Sequence, residues 1–137
     1  MISRLVLAAV IIAGAGGVAW ALRRRRPAAP PRDSYPLPAQ LDRADFPRPD
    51  APVLVAYFSS TTCDSCQGLG RRVTALEGDD VATAELEFAT RRDLHDRYRI
   101  SAIPMILIAD HEGVVKKGFV GATSSEELAS ALRDLRR

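Results

Sequence analysis

Residues 53–66 read VLVAYFSSTTCDSC, and this stretch decides the fold. Val53–Phe58 is a continuous run of apolar, β-branched and aromatic side chains of the length expected for a buried strand. Four small polar residues, Ser59 to Thr62, then lead to two cysteines three positions apart. From Cys63 to Leu76 the apolar residues Leu69, Val73 and Leu76 fall at helical spacing, which predicts a helix beginning at the first cysteine. Strand, turn and helix make a βα unit with the cysteine pair at its turn.

Downstream the alternation continues. Val81–Phe88 reads as a second strand, and Arg91–Tyr98 (RRDLHDRY) as a short charged helix with Leu94 and Tyr98 on one side. Met105–Ala109 (MILIA) and Val114–Val120 are separated by a turn, Asp110 to Gly113, which predicts an antiparallel hairpin. Ser124-Ser-Glu-Glu127 has the pattern of a capping box, in which a hydroxyl and a carboxylate satisfy the free N–H groups of a helix start. Leu128, Leu132 and Leu135 follow at the spacing of a terminal amphipathic helix. The expected fold class is α/β, a mixed sheet flanked by helices.

Upstream the composition changes. Residues 27–52 hold eight of the nine prolines, a density that excludes helix and favours extended chain. They are expected to form a tether, with Leu41–Phe46 able to add a short edge strand and the folded domain starting near Ala51. Leu5–Leu22 (LVLAAVIIAGAGGVAWAL) has eighteen residues without a charge, enough as a helix for roughly 27 Å at ~1.5 Å per residue, close to one bilayer core. Arg23–Arg26 stands where a cleavage site of small residues would be expected, and Trp20 stands at an interfacial position, so an uncleaved anchor is favoured over a signal peptide that would release a secreted protein. The domains expected are therefore an anchor over 1–22, a basic stop and proline-rich linker over 23–50, and a folded domain over 51–137. The arginine cluster outweighs Arg4 and the terminal amine, which puts the folded domain on the cytoplasmic face of a cell membrane.

The net charge of +2 hides an asymmetry. Residues 1–32 carry six arginines and no acid, whereas residues 33–137 carry thirteen basic against seventeen acidic side chains, a net of −4. An acidic body does not offer the positive face that phosphate backbones require, so nucleic-acid binding by the folded part is not expected. The hydrophobic fraction of 47% is enough for a packed core, and two cysteines in one motif provide no disulfide framework.

The cysteine pair suits redox chemistry. Only a thiolate attacks a disulfide, and a helix N-terminus favours the thiolate. Cys63 is expected to be the exposed nucleophile and Cys66, one turn on, the group that resolves the mixed disulfide. A zinc site would need His95 and His111 as further ligands, and these lie 29 and 45 residues beyond Cys66 without paired-ligand spacing. No metal and no cofactor are expected, and both histidines are expected at the surface.

Strand, CxxC, a later Ile-Pro before a strand, hairpin and terminal helix together resemble the thioredoxin family over roughly residues 51–137. The matching segments are YFSSTTCDSC at 57–66, RYRISAIPMILI at 97–108, the turn ending in Gly113, and FVGATSSEEL at 119–128. The resemblance implies a cis Pro104 lying against the cysteines, Ile103 pairing by its backbone with a substrate strand, and Thr62 as a further substrate contact. It also implies protein thiols and disulfides as partners, together with an unidentified redox partner.

The chain departs from the family pattern at three places. Thr62 replaces the Trp before the first cysteine, Asp64-Ser65 replaces Gly-Pro between the cysteines, and Tyr57 replaces a buried Asp that assists proton removal from the second. Tyr57, Asp64 and Ser65 are therefore the expected tuning residues. Asp64 should oppose ionisation of Cys63, since a like charge disfavours the thiolate, so the pair should lean reducing. The alternative is a non-catalytic module that uses the groove around Ile103 and Pro104 to hold partners without turnover.

Overall fold

The apolar run becomes β1 (Val53–Ser59), buried along its whole length at the centre of a four-stranded sheet. The computed structural model describes residues 35–137, and the other strands are β2 (Val81–Glu87), β3 (Met105–Asp110) and β4 (Val115–Val120), in the order β2-β1-β3-β4. β1 and β2 are parallel, from Val53 opposite Val81 to Ser59 opposite Glu87. β3 runs antiparallel to β1 with Phe58 opposite Met105, and β4 antiparallel to β3. A parallel pair needs a crossover, which contains α1 (Leu69–Thr74); α2 (Arg92–Arg97) lies in the connection from β2 to β3, and α3 (Ser125–Leu135) ends the chain.

Because successive side chains on a strand point to opposite faces, the sheet has two cores. Val53, Val55, Tyr57, Ile106 and Ile108 pack with Leu69 and Val73 of α1 and with Leu128, Ala131 and Leu132 of α3. Leu54, Ala56, Phe58, Leu107 and Ala109 pack on the other side with Leu94 of α2. The capping box of α3 forms as its sequence predicts: Ser124 Oγ accepts from the Glu127 N–H, and the Glu127 side chain accepts from the Ser124 N–H at 2.8 Å.

The folded body starts earlier than the proline content suggests. Leu41 is wholly buried and Phe46 nearly so, both on the α2 side of the sheet, and Arg43 is buried as well. Residues assigned from sequence to the linker thus complete the second core. In place of an edge strand over Leu41–Phe46, the chain makes an isolated bridge between Gln40 and Val114 and then a 3-10 turn, Arg43–Asp45, capped by the Asp42 carboxylate. The Arg43 guanidinium donates to the carbonyls of Ala51 (2.9 Å), Asp110 (3.1 Å) and Arg48 (3.0 Å), replacing the water its charge loses on burial. Arg48 reaches back to Gly78 O (2.7 Å) and Asp79 O (2.6 Å). Gly113 is part of this closure: its φ is +82°, and a Cβ there would run into the Leu41 carbonyl.

His95 is buried, contrary to the surface position expected for it. Its ring stands edge-on to Phe58 and Phe88, with Nε2 2.8 Å from Leu86 O, because Leu94 and His95 together form the inward face of α2. His111 is exposed in the β3–β4 turn. The expected anchor over 1–22 and the Arg23–Arg26 stop lie outside the described residues. Among the described residues no helix is long and apolar enough to cross a membrane.

Candidate active site

β1 ends at Ser59, and the polar residues 60–62 carry the chain from the end of the sheet to Cys63. Within that loop the Thr62 N–H donates to Ser60 Oγ (3.3 Å), the Ser60 and Thr62 hydroxyls are bonded to each other (3.1 Å), and the Cys63 N–H donates to Ser60 O (3.2 Å). Glu87 fixes the loop from beneath. Its carboxylate accepts from the N–H groups of Ala89, Thr90 and Thr61, and these bonds, Ala89's foremost, hold it below the usual carboxylate range.

Cys63 and Cys66 are joined as a disulfide with their Cα atoms 5.3 Å apart, and both are half-buried. The helix expected to start at Cys63 does not. Asp64–Cys66 is a 3-10 turn, Gln67 is extended at φ −60°, ψ 128°, and Gly68 is left-handed at φ +73°, so α1 begins only at Leu69. A helix dipole acts within its first turn. Cys63 lies six residues upstream of Leu69, so any stabilisation of its thiolate must come from the N–H groups of its own 3-10 turn rather than from α1. Asp64 and Ser65 are exposed on that turn, and Thr62 is exposed just before it.

Cys66 packs against the core on the α1 side, where the Tyr57 hydroxyl donates to Cys66 O at 3.2 Å. Tyr57 is 1% exposed, and burial first, with the neighbouring Glu85 charge second, pushes its phenol up to about 12. At neutral pH it is a donor and not a base. The residue in the place of the family's acid therefore supports Cys66 by a hydrogen bond and cannot take its proton.

Ile103 and Pro104 are joined by a cis peptide bond. Pro104 is buried immediately before β3, and because Met105 pairs with Phe58 it stands at the end of the sheet where β1 delivers the chain toward the cysteines. The Gly121 N–H donates to Pro104 O (2.9 Å), and Arg72 of α1 donates to Thr123 O (3.1 Å), so the loop 121–124 is tied both to the proline and to the helix that follows the cysteines. Ile103 is partly exposed beside it.

Sequence reasoning missed Ser59 and Glu85. The Ser59 hydroxyl donates to a Glu85 carboxylate oxygen at 2.9 Å, and Glu85 lies directly opposite Tyr57 in the parallel ladder. The available signal was a carboxylate at an alternate position of β2, on the face where β1 places Val55 and Tyr57. Among the described residues no group of three or more potential metal ligands is present.

A family model described as Thioredoxin matches residues 43–134. The mitochondrial thioredoxin of Bos taurus is 33% identical over 89 residues, which cover 63% of this chain and 52% of that one. The chain thus spans about half the length of this curated relative. Among solved structures, thioredoxin O2 of Arabidopsis thaliana in its oxidised state is similar at a TM-score of 0.53 and 22% identity, over 64% of this chain and 77% of that one. Fasciola hepatica thioredoxin is similar at a TM-score of 0.53 and 21% identity, over 62% and 83%. At such identities the structural likeness concerns the fold.

Proposed function

Since the chain belongs to the thioredoxin family, we propose that it exchanges disulfides with protein substrates, with Cys63 as the attacking group and Cys66 as the resolving one. In the reducing direction the Cys63 thiolate attacks one sulfur of a substrate disulfide, and the other substrate sulfur leaves as a thiolate. Cys66 then gives up its proton and attacks Cys63 Sγ. The bond to the substrate breaks, the substrate has gained two electrons and two protons, and the Cys63–Cys66 disulfide remains. Ile103 offers the backbone that pairs with a substrate strand, Pro104 holds that backbone at the sheet end, and Thr62 borders the entry. Asp64 biases the pair toward the dithiol state and hence toward reduction.

The observation that carries this proposal is the half-buried Cys63–Cys66 disulfide at the mouth of β1, at the same end of the sheet as Pro104. Insulin reduction with dithiothreitol tests it. Turnover is expected, abolished by Cys63→Ser, while Cys66→Ser should trap a mixed disulfide through Cys63. No turnover, with no adduct on Cys66→Ser, would refute exchange and leave a module that binds without reacting.

We also place this chemistry at a cytoplasmic membrane surface, supported by the eighteen uncharged residues of Leu5–Leu22 and by Arg23–Arg26 behind them. An impermeant thiol reagent applied to intact cells should leave Cys63 unlabelled until the membrane is opened. Labelling from outside reverses the orientation, and recovery of the protein in the soluble fraction without residues 1–22 refutes the anchor.

A further inference from the structure

Resolution of a mixed disulfide needs the Cys66 proton removed, and Tyr57, the polar side chain bonded to the Cys66 backbone, keeps its own proton at neutral pH. We propose that Glu85, on the neighbouring strand, is the proton acceptor for Cys66, the proton passing through one water. The inference rests on the exchange chemistry proposed above.

Three observations place the Glu85 carboxylate beside Tyr57, which is bonded to the Cys66 backbone, and against the start of α1, the helix that follows the cysteines. It accepts a hydrogen bond from Ser59 Oγ at 2.9 Å, which fixes the side chain across the β1–β2 ladder. It lies close enough to Tyr57, its ladder partner, for its charge to raise that phenol's pKa. And it occupies the space beside Gly70: a Cβ on that residue would stand 3.1 Å from Glu85 Oε2. Gly70 is four residues beyond Cys66, in the first turn of α1, so the absence of a side chain there lets the carboxylate pack against the helix that follows the cysteines. The residue is exposed overall, so it can pass the proton on to solvent.

The charged groups around Glu85 are otherwise engaged or open to solvent. Glu87, two positions on along β2, is bonded to backbone N–H groups, and Glu77 is bonded to Thr83 on the same strand. Arg72 of α1 is bonded to Thr123 O, while Arg71 and Asp64 are exposed. Among the carboxylates fixed on the Cys66 side of the sheet, Glu77, Glu85 and Glu87, Glu85 is the one held by a side-chain hydroxyl alone, with neither a backbone N–H nor an arginine on it.

In the resolving step Glu85 takes the Cys66 proton, Cys66 Sγ forms its bond to Cys63 Sγ, the bond from Cys63 to substrate sulfur breaks, and the departing thiolate is protonated by Glu85 or by water. Rapid-quench measurement of mixed-disulfide formation and decay, from pH 6 to pH 9.5, tests the role on the full-length protein and on Glu85→Gln. The amide of that variant can still accept the Ser59 hydrogen bond. Formation should be unchanged, while decay should slow about tenfold or more at pH 7 and converge with wild type at high pH, where Cys66 ionises unaided. Glu85→Asp should restore most of the rate. Decay at the wild-type rate, or slowed by the same factor at every pH, would overturn the role of Glu85. Failure of the wild type to form any mixed disulfide would overturn the exchange chemistry as well.

Discussion

Replacing Leu41 by Ala asks whether residues 35–50 belong to the folded body or merely lead to it. Leu41 is wholly buried in the core on the α2 side, and its backbone is held by the Leu41 N–H bond to Gly113 O at 2.8 Å. The site cannot easily collapse around a smaller side chain, because Gly113, the Arg43 hydrogen bonds and the Gln40 bridge fix the backbone on either side. Removing a leucine under such conditions costs about 2–5 kcal/mol, from lost transfer energy and the cavity left behind. A residue on a tether outside the body would cost no more than about 0.5 kcal/mol. Urea unfolding followed by circular dichroism at 222 nm resolves the two. With a slope of about 1.5 kcal/mol/M, the midpoint should fall by roughly 1.3–3.3 M. A fall below about 0.3 M would refute the assignment of this segment to the core.

Ser124→Ala removes the hydroxyl that accepts from the Glu127 N–H at the start of α3, and should cost about 1 kcal/mol in the same titration; no change would mean that the cap contributes nothing. Tyr57 and Tyr98 both hold their phenol protons up to about 12, burial being the main cause in each, against about 10 in an unfolded chain. The unfolded state therefore releases these protons first, so their stabilising contribution is intact below pH 10 and is lost as the pH rises from about 10 to 12; Tyr57→Phe should flatten this decline, and an unchanged alkaline limb would refute it. Asp64→Asn should lower the Cys63 pKa by roughly half a unit, the effect of a unit charge ~6 Å away in water. Alkylation rate against pH measures the shift, and an equal or higher value in the variant, or a wild-type Cys63 pKa below about 5, would remove Asp64 as the brake on ionisation.

The parts of this fold that sequence made legible are those whose signal is local. The Val53–Phe58 run had to be a buried strand, and it is buried at every position. Ser124 and Glu127 specify their capping box within one helical turn. Where sequence misled, the deciding partner was far away in the chain. Among the described residues upstream of Ala51 the chain makes no α-helix, but extended chain can still pack, and what draws Leu41 and Phe46 into the core is the β3–β4 turn and the face of α2, some 50 to 70 residues downstream. The charged helix RRDLHDRY looked solvated because five of its eight residues are Arg or Asp; that His95 turns inward depends on Phe58 and Phe88 closing around it. The break at Gly68 is a third case, since a single glycine in a helical pattern does not reveal that it will adopt φ +73°.

The same distinction governs the site. Cys63 and Cys66 announce themselves because the chemistry requires those residue types at that spacing, and Tyr57 can be picked out by counting back along β1. Glu85 cannot be found that way, since its place beside Tyr57 exists only once β1 and β2 are paired in register. A shift of one residue in that register would turn Glu85 to the opposite face and take its carboxylate away from Ser59 and Gly70. In this protein the position that carries an acid in the thioredoxin family holds a tyrosine, and the neighbouring strand supplies a carboxylate beside it. A proton acceptor for Cys66 is then a property of the strand pair rather than of the cysteine motif, and the Glu85→Gln pH profile is the measurement that separates a relocated base from a lost one.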